Sequence, residues 1–170
     1  MPIALILGGA RSGKSRRAEA LALGHCATPV YLATAPDIEG DGEWAERIER
    51  HRLERGDQWG VVEAELDLVA ALQRLSGGTV LIDCLTLWLS NLLYHGRDLE
   101  AESARLLAFL PEFDGHLILV ANEVGMGLVP ETPEGRAFRD AQGRLNQRLA
   151  AMADRVEFVA AGLPLVLKGA

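Results

Sequence analysis

Apolar positions fall in two kinds of stretch: short unbroken runs, and longer segments in which they recur at helical spacing. Residues 3–7, Ile-Ala-Leu-Ile-Leu, form an unbroken run of strand length, the pattern of a strand buried on both faces. Residues 8–13 are a glycine-rich turn. Over residues 14–23, Ala18, Leu21 and Ala22 take helical spacing, and Gly24 marks a stop. Residues 29–33 read as a second strand. A Gly/Asp-rich loop at 37–42 leads into a charged helix over 43–55. Residues 59–62 are a short strand, and 66–75 an amphipathic helix ended by Gly77 and Gly78. Residues 79–82 are another buried apolar strand, closed by Asp83. Helices are expected over 85–94 and 99–110, a strand over 117–121, a loop over 122–127, a long helix over 134–153, a strand over 156–160 and a short last strand over 165–167.

Strands thus alternate with helices along one domain spanning residues 1–170. The fold class is α/β: a mostly parallel sheet with helices on both faces. Such sheets bind ligands beyond the carboxyl ends of their strands. The loops at 8–15, 34–42, 83–86 and 122–127 all leave strand ends and should share one edge of the molecule.

Composition changes this picture little. With 49% hydrophobic and 24% charged residues, the chain has ordinary globular composition. A net charge of −7 argues against a general nucleic-acid binder, which needs a basic surface. Cys26 and Cys84 have no metal-ligand spacing and read as buried free thiols. The apolar run at 3–7 is too short for a signal peptide and lacks a positive flank. No run approaches the ~20 apolar residues of a membrane span. A cytoplasmic protein is expected.

The chemistry sits in the loops. Gly8-Gly9-Ala10-Arg11-Ser12-Gly13-Lys14-Ser15 fits the G-x-x-x-x-G-K-S pattern, with a buried strand before it and a helix after. Glycines let the backbone curl so that its N–H groups meet phosphate oxygens at a helix N-terminus. In that loop Lys14 reaches the β- and γ-phosphates of a nucleoside triphosphate, and the Ser15 hydroxyl ligates Mg²⁺. Asp83, at the tip of an apolar strand, has two readings: a carboxylate for Mg²⁺, or the N-cap of the helix at 85. Asn122 and Glu123 leave another strand tip on the same edge and are expected to contact nucleotide, metal-bound water or a substrate hydroxyl. No Asn-Lys-x-Asp guanine box is present.

The segment 47–55 carries four arginines, Arg47, Arg50, Arg52 and Arg55, against Glu49 and Glu54. On a helix Trp44, Ile48 and His51 share a face, with Arg47 beside them. The plain reading is a solvated helix with Arg/Glu pairs; the functional one is a phosphate-facing helix around a reactive histidine. His25, His95 and His116 stand near element ends without charged clusters and read as structural or surface residues.

With these motifs in view, the chain resembles the bifunctional adenosylcobinamide kinase/adenosylcobinamide-phosphate guanylyltransferase family of cobalamin biosynthesis, nearly end to end. The P-loop alone singles out no family. The resemblance is carried by Ala33-Thr34, by Arg47-Ile48 with His51, by Asn122-Glu123-Val124-Gly125-Met126-Gly127-Leu128-Val129-Pro130, and by Gly143-Arg144-Leu145-Asn146-Gln147-Arg148. It implies a RecA-like P-loop fold and two reactions. A nucleoside triphosphate, ATP or GTP, phosphorylates adenosylcobinamide. GTP then guanylylates an enzyme histidine, and adenosylcobinamide phosphate takes the GMP. His51 aligns with that histidine, with Arg47, Arg50 and Arg52 around the phosphates, and Asp83 stands where some relatives have Glu. The resemblance further implies a homotrimer. Arginines beside His51 favour its neutral, attacking form and lower the barrier to approaching an anionic phosphorus. The alternative is a monofunctional P-loop small-molecule kinase in which His51 is idle. More remote is an ATP-driven switch acting on a macromolecule.

Overall fold

The computed structural model describes residues 2–36, 46, 56 and 58–169. The described strands are β1 (Ile3–Gly8), β2 (Val30–Ala33), β3 (Gly60–Glu63), β4 (Gly78–Asp83), β5 (Gly115–Asn122), β6 (Arg155–Ala160) and β7 (Leu163–Lys168). The helices are α1 (Lys14–His25), α2 (Leu68–Gln73), α3 (Leu85–Tyr94), α4 (Leu99–Phe109) and α5 (Pro133–Met152). The strands form one sheet in the order β3-β2-β4-β5-β1-β6-β7. All neighbours pair in parallel except β6 and β7. This is the expected mostly parallel α/β architecture. The helix expected over 43–55, and with it Arg47, Arg50, His51 and Arg52, lies outside the described residues apart from Glu46.

Alternation along the strands divides the core between the two faces. Leu5, Leu7, Leu32, Val80, Ile82, Leu117 and Leu119 pack beneath α2, α3, α4 and α5. Ile6, Tyr31, Leu81, Ile118, Val120 and Val159 face Ala18 and Ala22 of α1. Small residues on α1 let it lie close against the sheet, which fixes where its N-terminus meets the end of β1.

Several expected boundaries move, each for a local reason. Gly24 does not stop α1. The helix continues to His25 and closes where the Cys26 N–H donates to Ala22 O at 3.0 Å. An exposed helical glycine costs stability but does not break the ladder. The helix expected over 66–75 shortens to α2, because the Asp67 carboxylate caps it by accepting from Ala70 N at 2.9 Å. The helix expected to reach residue 110 passes into a 3₁₀ turn at Leu110–Glu112, where Pro111 intervenes. The last strand is longer than its expected 165–167, covering Leu163–Lys168, every residue exposed. Pro164 is accommodated because β7 is an edge strand. Lys168 crosses to donate to Ala150 O and Ala151 O near the end of α5. No described helix is long and apolar enough to cross a membrane.

One buried charge ties α1 to the sheet. Glu157 on β6 is fully buried. It accepts from Arg17 Nε at 2.7 Å and Nη2 at 2.8 Å, and from Arg155 Nε at 2.7 Å. The bidentate bond from Arg17 holds the Glu157 carboxyl below its ordinary range. The stability this adds is present above the unfolded glutamate pKa of ~4.3 and is lost as pH falls through the lower folded value. Glu157→Ala, which removes the buried carboxylate that Arg17 and Arg155 share, is expected to cost about 3 kcal/mol. It should also flatten the loss of stability on acidification below about pH 5. Urea unfolding at neutral and acid pH measures both, and a cost under about 1 kcal/mol would place this pair among solvated surface bridges.

Candidate active site

The strand ends converge as the topology requires. Gly8 pairs in register with Asn122 and with Val159, Ala33 with Asp83 and with Glu63. The loops after β1, β2, β4 and β5 therefore share the carboxyl edge. The strand ending in Asp83 is not adjacent to the one ending in Gly8, since β5 lies between them.

The loop at 8–15 is shaped for an anion. It turns left-handed twice, at Arg11 (φ 55) and Gly13 (φ 93). Gly8 admits no side chain: a Cβ there would stand 2.5 Å from Ser12 Oγ and 2.6 Å from Val159 O. The Lys14 ammonium curls over the loop and donates to Gly9 O at 3.2 Å. Arg11 and Ala10 are exposed at the tip, whereas Ser12 is buried. Lys14 and Ser15 open α1. That helix begins at Gly13 with no side-chain cap and no acidic residue in its first turn. The other described α-helices are capped by side chains: Asp67, Cys84, Asp98 and Thr132. An uncapped N-terminus carrying a lysine presents N–H groups and positive potential together, the arrangement that holds phosphate.

The turn between β6 and β7 braces this loop. Ala161 (φ 51) and Gly162 (φ 78) are both left-handed, a pair that fits a tight hairpin. Gly162 N–H donates to Ser12 O at 2.8 Å. A Cβ on Gly13 would come within 3.1 Å of Gly162 Cα, so the two backbones touch with nothing between them.

Asp83 does not cap α3. That place belongs to Cys84, whose Sγ accepts from Leu87 N at 3.4 Å. Asp83 Oδ2 instead accepts from the Tyr31 hydroxyl at 2.9 Å, on the α1 side of the sheet. The backbone beside it is locked: Thr34 Oγ1 accepts from Cys84 N and donates to Cys84 O, each at 2.9 Å. Burial, reinforced by the Asp83 charge, pushes the Cys84 thiol up to about 11. It stays protonated at neutral pH and is no nucleophile. Among the described residues both cysteines are free and partly buried, less deeply than their reading as core thiols implied.

Asn122 is fixed through its backbone. Its N–H donates to Thr86 Oγ1 at 2.7 Å, and its carbonyl accepts from Asn146 Nδ2 at 3.1 Å. Gln142 Nε2 in turn donates to Asn146 Oδ1 at 2.8 Å. The Asn122 side-chain oxygen is buried and has no hydrogen-bond partner among the described residues, so it offers an acceptor at the site edge. Glu123 N–H donates to Gly8 O at 3.2 Å, joining this loop to the phosphate loop. The Glu123 carboxylate accepts from Gly125 N at 2.6 Å. Beyond it Met126, Leu128 and Val129 are 80%, 96% and 65% exposed, an apolar finger on the same edge.

The structure thus brings Gly8, Gly9, Ala10, Arg11, Ser12, Gly13, Lys14, Ser15, Asp83, Asn122 and Glu123 to one edge. Reading the chain alone assigns Tyr31, Thr86, Gln142 and Gly162 no role, and Thr34 and Asn146 only a place in the resemblance. The other histidines keep their structural reading. His25 and His116 stack with ring centroids 4.5 Å apart, and His95 meets Glu65 at 3.0 Å.

Comparisons with known proteins give the site a context. The model of a family described as cobinamide kinase / cobinamide phosphate guanyltransferase matches residues 4–167. The chain is 47% identical over 169 residues to the "Bifunctional adenosylcobalamin biosynthesis protein CobP" of Pseudomonas aeruginosa, covering 97% of this chain and 96% of that one. It is 40% identical over 181 residues to the "Bifunctional adenosylcobalamin biosynthesis protein CobU" of Escherichia coli, covering 96% of this chain and 98% of that one. Among solved structures, a "prototypical ATPase from the type III secretion system of pathogenic bacteria" superposes with a TM-score of 0.57 at 11% identity, over 97% of this chain and 56% of that chain. That likeness shows the fold, a RecA-like P-loop α/β architecture.

Proposed function

The chain belongs to the cobinamide kinase / cobinamide phosphate guanyltransferase family, and from that membership we propose that it catalyses two consecutive transfers. A nucleoside triphosphate phosphorylates the aminopropanol hydroxyl of adenosylcobinamide, and GMP from GTP then passes to adenosylcobinamide phosphate, giving adenosylcobinamide-GDP. The observation that carries the nucleotide half is the uncapped, lysine-bearing start of α1 behind the loop at 8–15.

In the first reaction the loop N–H groups hold the phosphates, and Lys14 balances charge on the β- and γ-phosphates. Glu123 orients the acceptor hydroxyl and takes its proton, from a loop whose backbone is joined to the phosphate loop at Gly8. The Asn122 amide oxygen receives a donor from nucleotide or substrate. Arg11, exposed at the loop tip, meets the outer phosphates.

In the second reaction His51 attacks the α-phosphorus of GTP. A P–N bond forms, pyrophosphate leaves, and a phosphate oxygen of adenosylcobinamide phosphate then displaces GMP from the histidine. Arg47, Arg50 and Arg52 carry charge complementary to the phosphates of that step. Incubating the protein with adenosylcobinamide and ATP, then with GTP, should give products heavier by one phosphoryl group and then by one GMP unit in mass spectrometry. Recovery of the first product alone would leave a kinase only.

Mg²⁺ fits the donors present, since Ser15 and Asp83 supply hydroxyl and carboxylate oxygens, the ligand type a hard cation takes. When bound, it would neutralise phosphate charge during transfer. Asp83 keeps its carboxylate on the α1 side of the sheet, where the Tyr31 hydroxyl donates to it. Asp83→Asn is expected to raise the Mg²⁺ concentration needed for half-maximal activity by at least about tenfold. An unchanged metal dependence would leave Asp83 as a hydrogen-bond partner of Tyr31 and nothing more.

The protein acts in the cytoplasm and self-associates as a homotrimer in this reading. Leu163, Leu165, Val166 and Leu167 on the open edge strand, between 46% and 72% exposed, support self-association, because unpaired apolar edges are normally covered.

A further inference from the structure

We infer that Tyr31 is a positioning residue for the Asp83 carboxylate and, through it, for divalent-cation binding at the phosphate site. The inference rests on the reading of Asp83 as the metal carboxylate.

The Tyr31 hydroxyl stands where core packing asks for none. Tyr31 lies in the cluster formed with Ile6, Ala18, Leu81, Ile118, Val120 and Val159, where phenylalanine would pack as well. It is 7% exposed, and its ring stands edge-on to Trp59 at 6.0 Å and 85°. In the β2–β4 register Tyr31 pairs with Leu81 and Ala33 with Asp83. Tyr31 thus sits two positions before the carboxylate on the neighbouring strand. Two residues of strand advance ~6.6 Å, about the length of a tyrosine side chain laid along the strand. The hydroxyl arrives at Asp83 Oδ2 at 2.9 Å. Ring and hydroxyl have separable jobs: the ring fills the core against Trp59, and the O–H fixes one carboxylate oxygen.

A carboxylate on a strand tip rotates freely about its last bond unless something holds it. With Oδ2 accepting from the phenol, Oδ1 becomes the oxygen available to a cation or its water. Outer partners of this kind set ligand orientation, and their loss commonly costs 10- to 100-fold in metal affinity or activity. The backbone at this point is already immobile, because Thr34 binds both the N–H and the carbonyl of Cys84. Side-chain rotation is therefore the freedom left for Tyr31 to remove.

The test is a double-mutant cycle on the full chain, with Tyr31→Phe, Asp83→Asn and the double variant. The readouts are the Mg²⁺ concentration for half-maximal kinase rate at fixed ATP and, by calorimetry, the Mg²⁺ dependence of binding a non-hydrolysable ATP analogue. Tyr31→Phe should raise both about tenfold, with a smaller change in kcat at saturating Mg²⁺, and the double variant should be no worse than Asp83→Asn alone. Unchanged metal dependence in folded Tyr31→Phe, beside a raised one in Asp83→Asn, overturns the role of Tyr31 while sparing that of Asp83. Multiplying effects would likewise overturn it, as the two residues would act independently. If Asp83→Asn itself leaves the metal dependence unchanged, both readings fall. Should Tyr31→Phe not fold, ring-labelled Tyr31 in the otherwise unaltered protein answers by NMR. Its signal should shift when Mg²⁺ joins the bound analogue, and this shift should vanish in Asp83→Asn; a signal blind to the metal sinks the proposal.

Discussion

Lys14→Ala is expected to lower the rate of phosphoryl transfer by at least ~10²-fold while leaving the fold intact. Among the described residues the side chain makes one hydrogen bond, from its ammonium to Gly9 O, and it carries no packing load in either core cluster. Alanine is a strong helix former, so the first turn of α1 keeps its geometry. What is lost is the mobile cation of the phosphate loop. The backbone N–H groups of residues 9–15 still bind phosphate, but their dipoles fall off faster with distance than a full charge and do not follow the γ-phosphoryl group as it moves. The deficit should appear mainly in kcat and less in the apparent affinity for the nucleotide. Steady-state kinetics beside a thermal melt make the measurement. Wild-type turnover in a folded Lys14→Ala protein would remove this loop from the chemistry.

The second large effect separates the two activities. His51→Ala should abolish covalent labelling from α-labelled GTP and the formation of adenosylcobinamide-GDP, while much of the kinase activity persists. Direct transfer of a γ-phosphoryl group to a hydroxyl requires alignment and charge balance, not a nucleophilic imidazole. His51→Asn should fail in the same way, since an amide is polar but forms no phosphoramidate. In the wild type the label should be acid-labile and alkali-stable, and transfer should fade as pH falls through the histidine range, because protonation removes the attacking lone pair. Label that persists on His51→Ala would assign the carrier to another residue and return the segment 47–55 to its plain reading as a solvated helix.

The legible parts of the molecule were those in which each residue reports on its own neighbourhood. β1, β4 and β5 are buried on both faces, so each reads as a continuous apolar run and was placed to within two residues at either end. The phosphate loop was legible because its glycines answer a local backbone demand, at Gly8 for space and at Gly13 for a left-handed turn. β7 was under-read because both of its faces are exposed and a proline interrupts it. Asp83 had two readings, since a metal carboxylate and a helix cap both favour an acid where a strand meets a helix. The cap reading fell to Cys84, a residue type that seldom serves there. The supports of the site were illegible for a different reason. Tyr31 reaches Asp83 across 52 residues, Thr34 reaches Cys84 across 50, and Thr86 reaches Asn122 across 36. No local pattern encodes a pairing that the sheet order creates. Arg47, Arg50, His51 and Arg52 lie outside the described residues, so their part rests on the family resemblance and the chemistry of imidazole.

The contact of Gly162 with Ser12 has a consequence for synthesis. The phosphate loop leaves the ribosome well before the turn against which it sets. The neighbouring bond from Ile3 N–H to Asp154 closes across 151 residues in the same way. Loop closures of that span come late in folding. A nascent chain that has exposed β1 and α1 therefore carries the whole phosphate-binding motif without its finished shape. Nucleotide affinity should arise only once the β6–β7 hairpin has emerged and docked, and nucleotide present in the cell would then favour the fully assembled sheet over its partly folded precursors.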